Sequence, residues 1–286
     1  MIGLFRAMRP AQWVKNLLVF AAPGAAGVLD ATSSWSVVSR VFIGFCAVSS
    51  ALYLVNDVVD RAEDRAHPMK RLRPIASGAV SVPLALAASA VLAAAGLVLV
   101  TWVGGGVTLL TVGVYVAVTL AYNAGLRQVA VIDLLAVASG FVLRAVAGAV
   151  AVDVPMSTWF VLCVSFGALF VVAGKRFAEL VGRGDRAVEG RSSLGVYTVG
   201  YLRSVLTVSV TVSILTYCLW AFESDVASGS VWFVVSIVPV VGVFLRYLLV
   251  LDTGGGAAPE EVFWRDRPIQ LLGVVWLVVY VVAVYS

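Results

Sequence analysis

The chain has 286 residues, of which 61% are hydrophobic and 13% charged, whereas an ordinary soluble domain carries about 25% charge. A mean hydropathy of +1.01 excludes both a soluble fold and disorder, which needs low hydrophobicity and high charge. At about 20 apolar residues per crossing, the length leaves room for roughly nine spans and no large soluble domain. The expectation is therefore an all-α polytopic membrane protein with nine transmembrane helices, forming a single domain over residues 1–286.

Apolar runs place helices at about 16–30, 36–58, 82–103, 106–123, 130–152, 157–177, 203–222, 230–250 and 268–285. The first, short for a full crossing and with an alternative earlier start near Ala11, follows Arg6, Arg9 and Lys15 and has the look of a signal peptide. It reads better as the first span, because many spans follow it. The runs are too long and continuous for barrel strands. Gly104–Gly106 and Gly254–Gly256 lack a following Lys-Ser/Thr, so they read as turns rather than phosphate loops. Cys46, Cys163 and Cys218 lie inside apolar runs as small hydrophobes. With His67 the only histidine, a His-ligated metal or a Ser-His-Asp triad is disfavoured.

The charges are sorted. With nine spans, eighteen of the twenty Lys/Arg fall on the side of the N-terminus, including Arg183, Arg186 and Arg191. Only Arg40 and Arg144 do not. The opposite loops hold Asp30, Asp153, Glu223 and Asp225. By the positive-inside rule the N-terminus and the crowded loops are cytoplasmic, in the plasma membrane. The net charge of +4 then reflects orientation and an anionic substrate rather than nucleic acid.

Three polar stations stand out. The first, at the end of the second predicted helix, is Asn56-Asp57-Val58-Val59-Asp60-Arg61-Ala62-Glu63-Asp64. Helical spacing puts Asn56, Asp60 and Asp64 on one face with Asp57 beside them. Carboxylates that close resist ionising together, and a hard divalent cation such as Mg2+, shared with substrate phosphates, would relieve them. The second station, Lys70, Arg71 and Arg73 just before Pro74, offers cations for phosphate oxygens, or a membrane anchor. The third is Gly174-Lys175-Arg176 with Glu179 and Arg183, where Lys175 and Glu179 have the spacing of a helix salt bridge.

Further candidates are scattered. Tyr122, Asn123 and Arg127 lie in a short loop and could face the same cavity. Asp133 and Arg144 sit three turns apart on one helix, and Arg144 either binds substrate or braces the bundle. Trp13 and Lys15 suit the membrane interface. Arg265-Asp266-Arg267 is a cap and anchor, or part of a site.

Together these residues resemble the UbiA-type prenyltransferase superfamily, on the Asn-Asp-x-x-Asp-x-x-x-Asp pattern at Asn56–Asp64, on Arg73–Gly78, and on Gly140–Ala149. The resemblance covers essentially the whole chain and implies a nine-helix bundle that works with Mg2+. One departure matters. Members that use prenyl diphosphates carry a second Asp-rich motif where this chain has Lys175, Arg176 and Glu179. That departure, with Arg9-Pro10-x-Gln12-Trp13-x-Lys15-Asn16, resembles the branch that joins phosphoribosyl diphosphate to a polyprenyl monophosphate and releases diphosphate. Its product is the lipid-linked pentose precursor of arabinan.

For this chain the resemblance implies Mg2+ at Asn56, Asp57, Asp60 and Asp64, with Asp57 and Asp60 catalytic. Donor phosphates would meet Lys15, Lys70, Arg71 and Arg73. The lipid phosphate would meet Lys175 and Arg176, fixed by Glu179. The partners implied are phosphoribosyl diphosphate, a polyprenyl phosphate lipid and the membrane, with homo-oligomers possible and nucleic acid excluded. The alternatives are an aromatic-acceptor prenyltransferase, a transporter using Asp133 and Arg144, and a scaffold.

Overall fold

The computed structural model describes residues 2–182 and 192–285. Arg183, Arg186 and Arg191 lie outside the described residues. Among the described residues all regular structure is helical. The helices are α1 Ile2–Ala7, α2 Ala21–Ala25, α3 Thr32–Val59, α4 Arg61–Ala66, α5 Val82–Ala124, α6 Ile132–Ala151 and α7 Thr158–Val181. They continue with α8 Ser192–Val196, α9 Val199–Ser228, α10 Trp232–Val235, α11 Ile237–Asp252, α12 Pro259–Arg265 and α13 Arg267–Tyr285.

Seven stretches among the described residues are long and apolar enough to cross a membrane, counting α10 and α11 as one. The chain is a multi-pass membrane protein. Val98, Trp102, Leu110, Val274 and Val278 are exposed on these helices, as lipid-facing residues must be when the solvent is hydrocarbon.

The seven differ from the nine expected at two places. First, α5 spans 43 residues because two helices meet in it across a kink, each about long enough at 1.5 Å per residue for a hydrocarbon core of about 30 Å. It covers two of the expected helices. Gly105 interrupts it with φ 70° and ψ −171°, a conformation open essentially to glycine alone. The expected turn at Gly104–Gly106 falls at that kink, between the two helices.

The second difference is at the N-terminus. In place of an α-helix over 16–30, a 3-10 helix spans Pro10–Phe20, followed by α2 and a 3-10 turn at Val28–Asp30. Pro10 supplies no N–H, which suits the first turn of a helix. Arg9 before it adopts the left-handed conformation (φ 55°, ψ 60°). The chain therefore turns sharply at Arg9 rather than entering one straight helix.

Two compact units make up the chain. One comprises Met1–Gly24, Val28–Asn123 and Leu143–Val154; the other comprises Ala25–Gly27, Ala124–Val142 and Pro155–Ser286. Helix α6 contributes to both.

In the first unit, Val19, Val41, Phe45, Val48, Val100, Val112 and Ala147 form a core. Gly148 lets α6 approach the 3-10 helix so closely that a Cβ there would fall on the carbonyl oxygen of Val19. In the second unit α7 packs along α9, and Phe170, Phe177, Leu202, Leu206, Tyr247 and Leu251 fill the core. The three cysteines are free thiols.

Candidate active site

In the first unit, α3 ends at Val59 and α4 begins at Arg61, with Asp60 between them at φ −81° and ψ 4°. Helical hydrogen bonding continues through this junction, since the Asp60 N–H donates to the Asn56 carbonyl at 2.9 Å and the Asp64 N–H to the Asp60 carbonyl at 2.8 Å. Asp57 and Asp64, seven residues apart and so on one side of the helical path, share one cation. Arg73 Nη1 donates to Asp64 Oδ2 at 2.7 Å and to Asp57 Oδ1 at 3.3 Å. Arg9 Nη2 donates to Asp57 Oδ1 at 2.5 Å and its guanidinium lies 5.2 Å from the Tyr53 ring centre. Asp57 and Asp64 are each 2% exposed, so their charges would be very costly without these partners.

The left-handed turn at Arg9 is what carries its side chain back to α3. Sequence reasoning gave Arg9 no role of its own. The available signal was a cation immediately before the helix-starting Pro10.

Among the described residues no three His, Cys, Asp or Glu side chains converge as metal ligands. The carboxylates face arginines instead. The donor set still suits Mg2+, which takes one or two carboxylates, a neutral oxygen and substrate phosphates. One observation favours the fit: Asn56 Oδ1 is buried with no hydrogen-bond partner, an acceptor oriented for something that the protein itself does not supply. Arg61 Nε, five residues on, is likewise a buried donor with no partner.

The second station is split. Arg73 belongs to the acid cluster, while Lys70 and Arg71, on a short 3-10 turn, are exposed. Arg65 Nε donates to the carbonyl of Ala76 at 2.8 Å, so it braces the loop. His67 Nδ1 accepts from the backbone N–H groups of Met69 and Lys70 and closes the turn.

Arg144 and Asp133 have different partners. Arg144 is 5% exposed in the first unit. Its Nε donates to Asn16 Oδ1 at 2.7 Å, and its Nη2 to the Tyr115 hydroxyl at 3.0 Å. Asn16 Nδ2 in turn donates to Ser49 Oγ and Cys46 Sγ at 3.3 Å each. Arg144 thus braces the 3-10 helix against α3, α5 and α6. Lys15 and Tyr122 and Asn123 are half-buried in this unit.

In the second unit, Arg176 is 3% exposed on α7. Its Nε donates to Asp133 Oδ2 at 3.2 Å and its Nη1 to Glu179 Oε2 at 3.0 Å. Glu179 thus accepts from Arg176 at i,i+3. Lys175, one residue earlier, is half-buried, as is Arg127. The two acids hold the guanidinium in place and leave Lys175 as the more accessible cation.

Asp266 resolves as a cap. It accepts from Arg246 at 2.9–3.2 Å and from the Ile269 N–H at 3.0 Å. The Arg246 hydrogen bonds, and then the Ile269 amide, hold its carboxyl below the usual carboxylate range. A group with a lowered folded pKa stabilises the fold above its unfolded value, about 3.9, and that contribution disappears as pH falls through the folded value. The thermal midpoint of wild type should therefore exceed that of Asp266→Asn from about pH 5 upward, with the gap closing below about pH 4. A gap that stays constant down to the most acidic sample would refute the cap as the source.

An all-helical membrane bundle with an Asp–Arg cluster in one unit and an Arg–Asp–Glu cluster in the other defines the class as a polytopic membrane protein with paired charges. The comparisons make that class specific. Residues 17–283 match the UbiA prenyltransferase family, and the chain belongs to that family.

A decaprenyl-phosphate phosphoribosyltransferase of Mycolicibacterium smegmatis is 43% identical, over 99% of this chain and 92% of its own length. Its namesake in Mycobacterium tuberculosis is 46% identical, over 96% of this chain and 92% of its own length. A UbiA homolog from Archaeoglobus fulgidus, solved bound to GPP and Mg2+, superposes with a TM-score of 0.72 at 14% identity, covering 99% of this chain and 100% of its own. That likeness shows the fold.

Proposed function

We propose that this chain transfers 5-phosphoribose from phosphoribosyl diphosphate to decaprenyl phosphate, releasing diphosphate, as a step toward arabinan precursors of the cell wall. The observation that carries the reading is the chemistry of the third station. A second acid cluster there would suit a diphosphate clamped by metals. Lys175 and a fixed Arg176 suit direct pairing with a phosphate. The names of the relatives, matched over nearly full length, support the same reading.

The donor belongs to residues of the first unit. Asn56, Asp57, Asp60 and Asp64 would hold Mg2+, which when bound withdraws charge from the diphosphate. Arg9 and Arg73 fix the acids, and Lys15, Lys70 and Arg71 take further phosphate oxygens. The acceptor phosphate belongs to Lys175 and Arg176, with Glu179 and Asp133 orienting the arginine. Tyr122, Asn123 and Arg127 are secondary candidates.

One oxygen of the lipid phosphate forms a bond to the anomeric carbon as the bond from that carbon to the diphosphate oxygen breaks. The electron pair leaves with diphosphate, and the configuration inverts. The nucleophile is already anionic near pH 7, so no general base is needed. Positioning and fixed charge supply the catalysis.

The nine-span topology belongs to this reading. It counts α5 as two crossings separated at Gly105 and the Pro10–Ala25 segment as one. Eighteen of the twenty Lys/Arg then crowd the N-terminal side, which makes that side, and the active site, cytoplasmic.

The test is transfer of radiolabelled ribose phosphate from phosphoribosyl diphosphate to decaprenyl phosphate by the purified chain in detergent. Product forms with Mg2+ and is abolished by chelator. Absence of product with Mg2+, or transfer from a prenyl diphosphate to an aromatic acid in its place, would overturn the reading.

A further inference from the structure

Tyr197 lies just before α9, outside every station that the sequence marked. Its hydroxyl accepts from the Val131 N–H at 2.6 Å and donates to Asp133 Oδ1 at 2.5 Å. The residue is 6% exposed, and its ring stacks on Tyr201 with centroids 5.7 Å apart. Asp133 is fully buried and turns its other oxygen to Arg176. One hydroxyl therefore joins the amide of Val131 to the carboxylate that holds the arginine.

Val131 gives this contact further weight. Its φ is 70°, a left-handed conformation that a β-branched residue enters only under constraint. Such strain persists where the surroundings over-determine it. Here the Tyr197 oxygen receives the amide of that residue, two positions before Asp133. Burial, and then the hydrogen bond to Asp133, push the phenol above its ordinary range, so it remains a neutral donor across physiological pH.

We propose that Tyr197 is a positioning residue of the acceptor-phosphate station. It sets the Asp133 carboxylate, which orients Arg176 and the turn of α7 that carries Lys175. Buried polar chains of this kind hold charges strongly because the local dielectric is low. The proposal rests on the reading that Lys175 and Arg176 receive the lipid phosphate. It assigns Tyr197 an effect on the acceptor and none on the donor.

The test uses the full chain with decaprenyl phosphate varied at saturating phosphoribosyl diphosphate, and then the reverse. Tyr197→Phe keeps the ring but removes both hydrogen bonds. It should raise the KM for decaprenyl phosphate about tenfold, the size of one lost buried hydrogen bond to a charged group. The KM for phosphoribosyl diphosphate should stay within about twofold. Asp133→Asn, close in shape, should shift the acceptor KM in the same direction.

A residue that only packs would lower thermal stability and affect both substrates alike. An unchanged acceptor KM, an equal rise in both KM values, or failure of both variants to fold overturns the proposal. If wild type makes no product, the functional reading itself fails and the proposal falls with it.

Discussion

Replacing Asp57 by Asn lowers phosphoribosyl transfer at least about 100-fold, the scale on which a single preorganised electrostatic group acts. Asp57 is 2% exposed and accepts from both Arg9 and Arg73. Asn is nearly isosteric, so packing survives. The charge does not, and an amide nitrogen can then face two guanidinium groups. Breaking a buried ion pair from one side costs about 3–5 kcal/mol, because the partner charge is left uncompensated.

The loss should appear in kcat/KM for phosphoribosyl diphosphate, while the variant still elutes as a folded species in detergent. Asp57→Asn with activity within about threefold of wild type would remove this carboxylate from the reaction, since such a change is under 1 kcal/mol.

Gly148→Ala should be the most disruptive single-methyl change in the first unit. The added Cβ would overlap the Val19 carbonyl oxygen, and backbone cannot swing aside as a side chain does. Ala147 and Ala149 beside it are also buried, so rotating α6 offers no escape. Overpacking costs typically 1–3 kcal/mol and at times more. At the upper end this exceeds the roughly 1 kcal/mol that Ala gains over Gly in a helix.

The remaining difference, about 2 kcal/mol, should lower the apparent Tm by about 4–8 °C. Gly113→Ala is the control: nothing lies within 4 Å of a Cβ there, so helix propensity acts alone and Tm should hold or rise slightly. Equal midpoints for the two variants would refute the close approach of α6 to the 3-10 helix.

These two sites show which parts of the structure can be read from the sequence. The spans were legible because hydrocarbon demands long apolar runs, and α3, α6, α7 and α13 fall close to their expected places. The acid cluster was legible because Asn56, Asp57, Asp60 and Asp64 put four oxygen-bearing side chains within nine residues at the end of an apolar run, where charge is costly. Its internal pairing was not. Arg73 joins Asp57 and Asp64 from outside the helix, and spacing within the acid cluster does not say which cation will reach it.

Arg9, Tyr197 and the pairing of Asp133 with Arg176 depend on contacts between residues 43–64 positions apart. No periodicity reports such contacts. The N-terminal segment starts near the earlier of its two expected positions, but its 3-10 form was not legible: apolar content marks a segment for burial, while Pro10 and the turn at Arg9 decide its geometry.

The central claim is the identity of both substrates. Mass spectrometry of the lipid formed from a mixture tests it most directly. The mixture would contain phosphoribosyl diphosphate and a prenyl diphosphate as donors, with decaprenyl phosphate and an aromatic acid as acceptors. The expected product is decaprenyl phosphate heavier by one phosphoribosyl group, formed with Mg2+ and lost in Asp57→Asn. A prenylated aromatic acid as the sole product, or unaltered decaprenyl phosphate, would contradict the assignment.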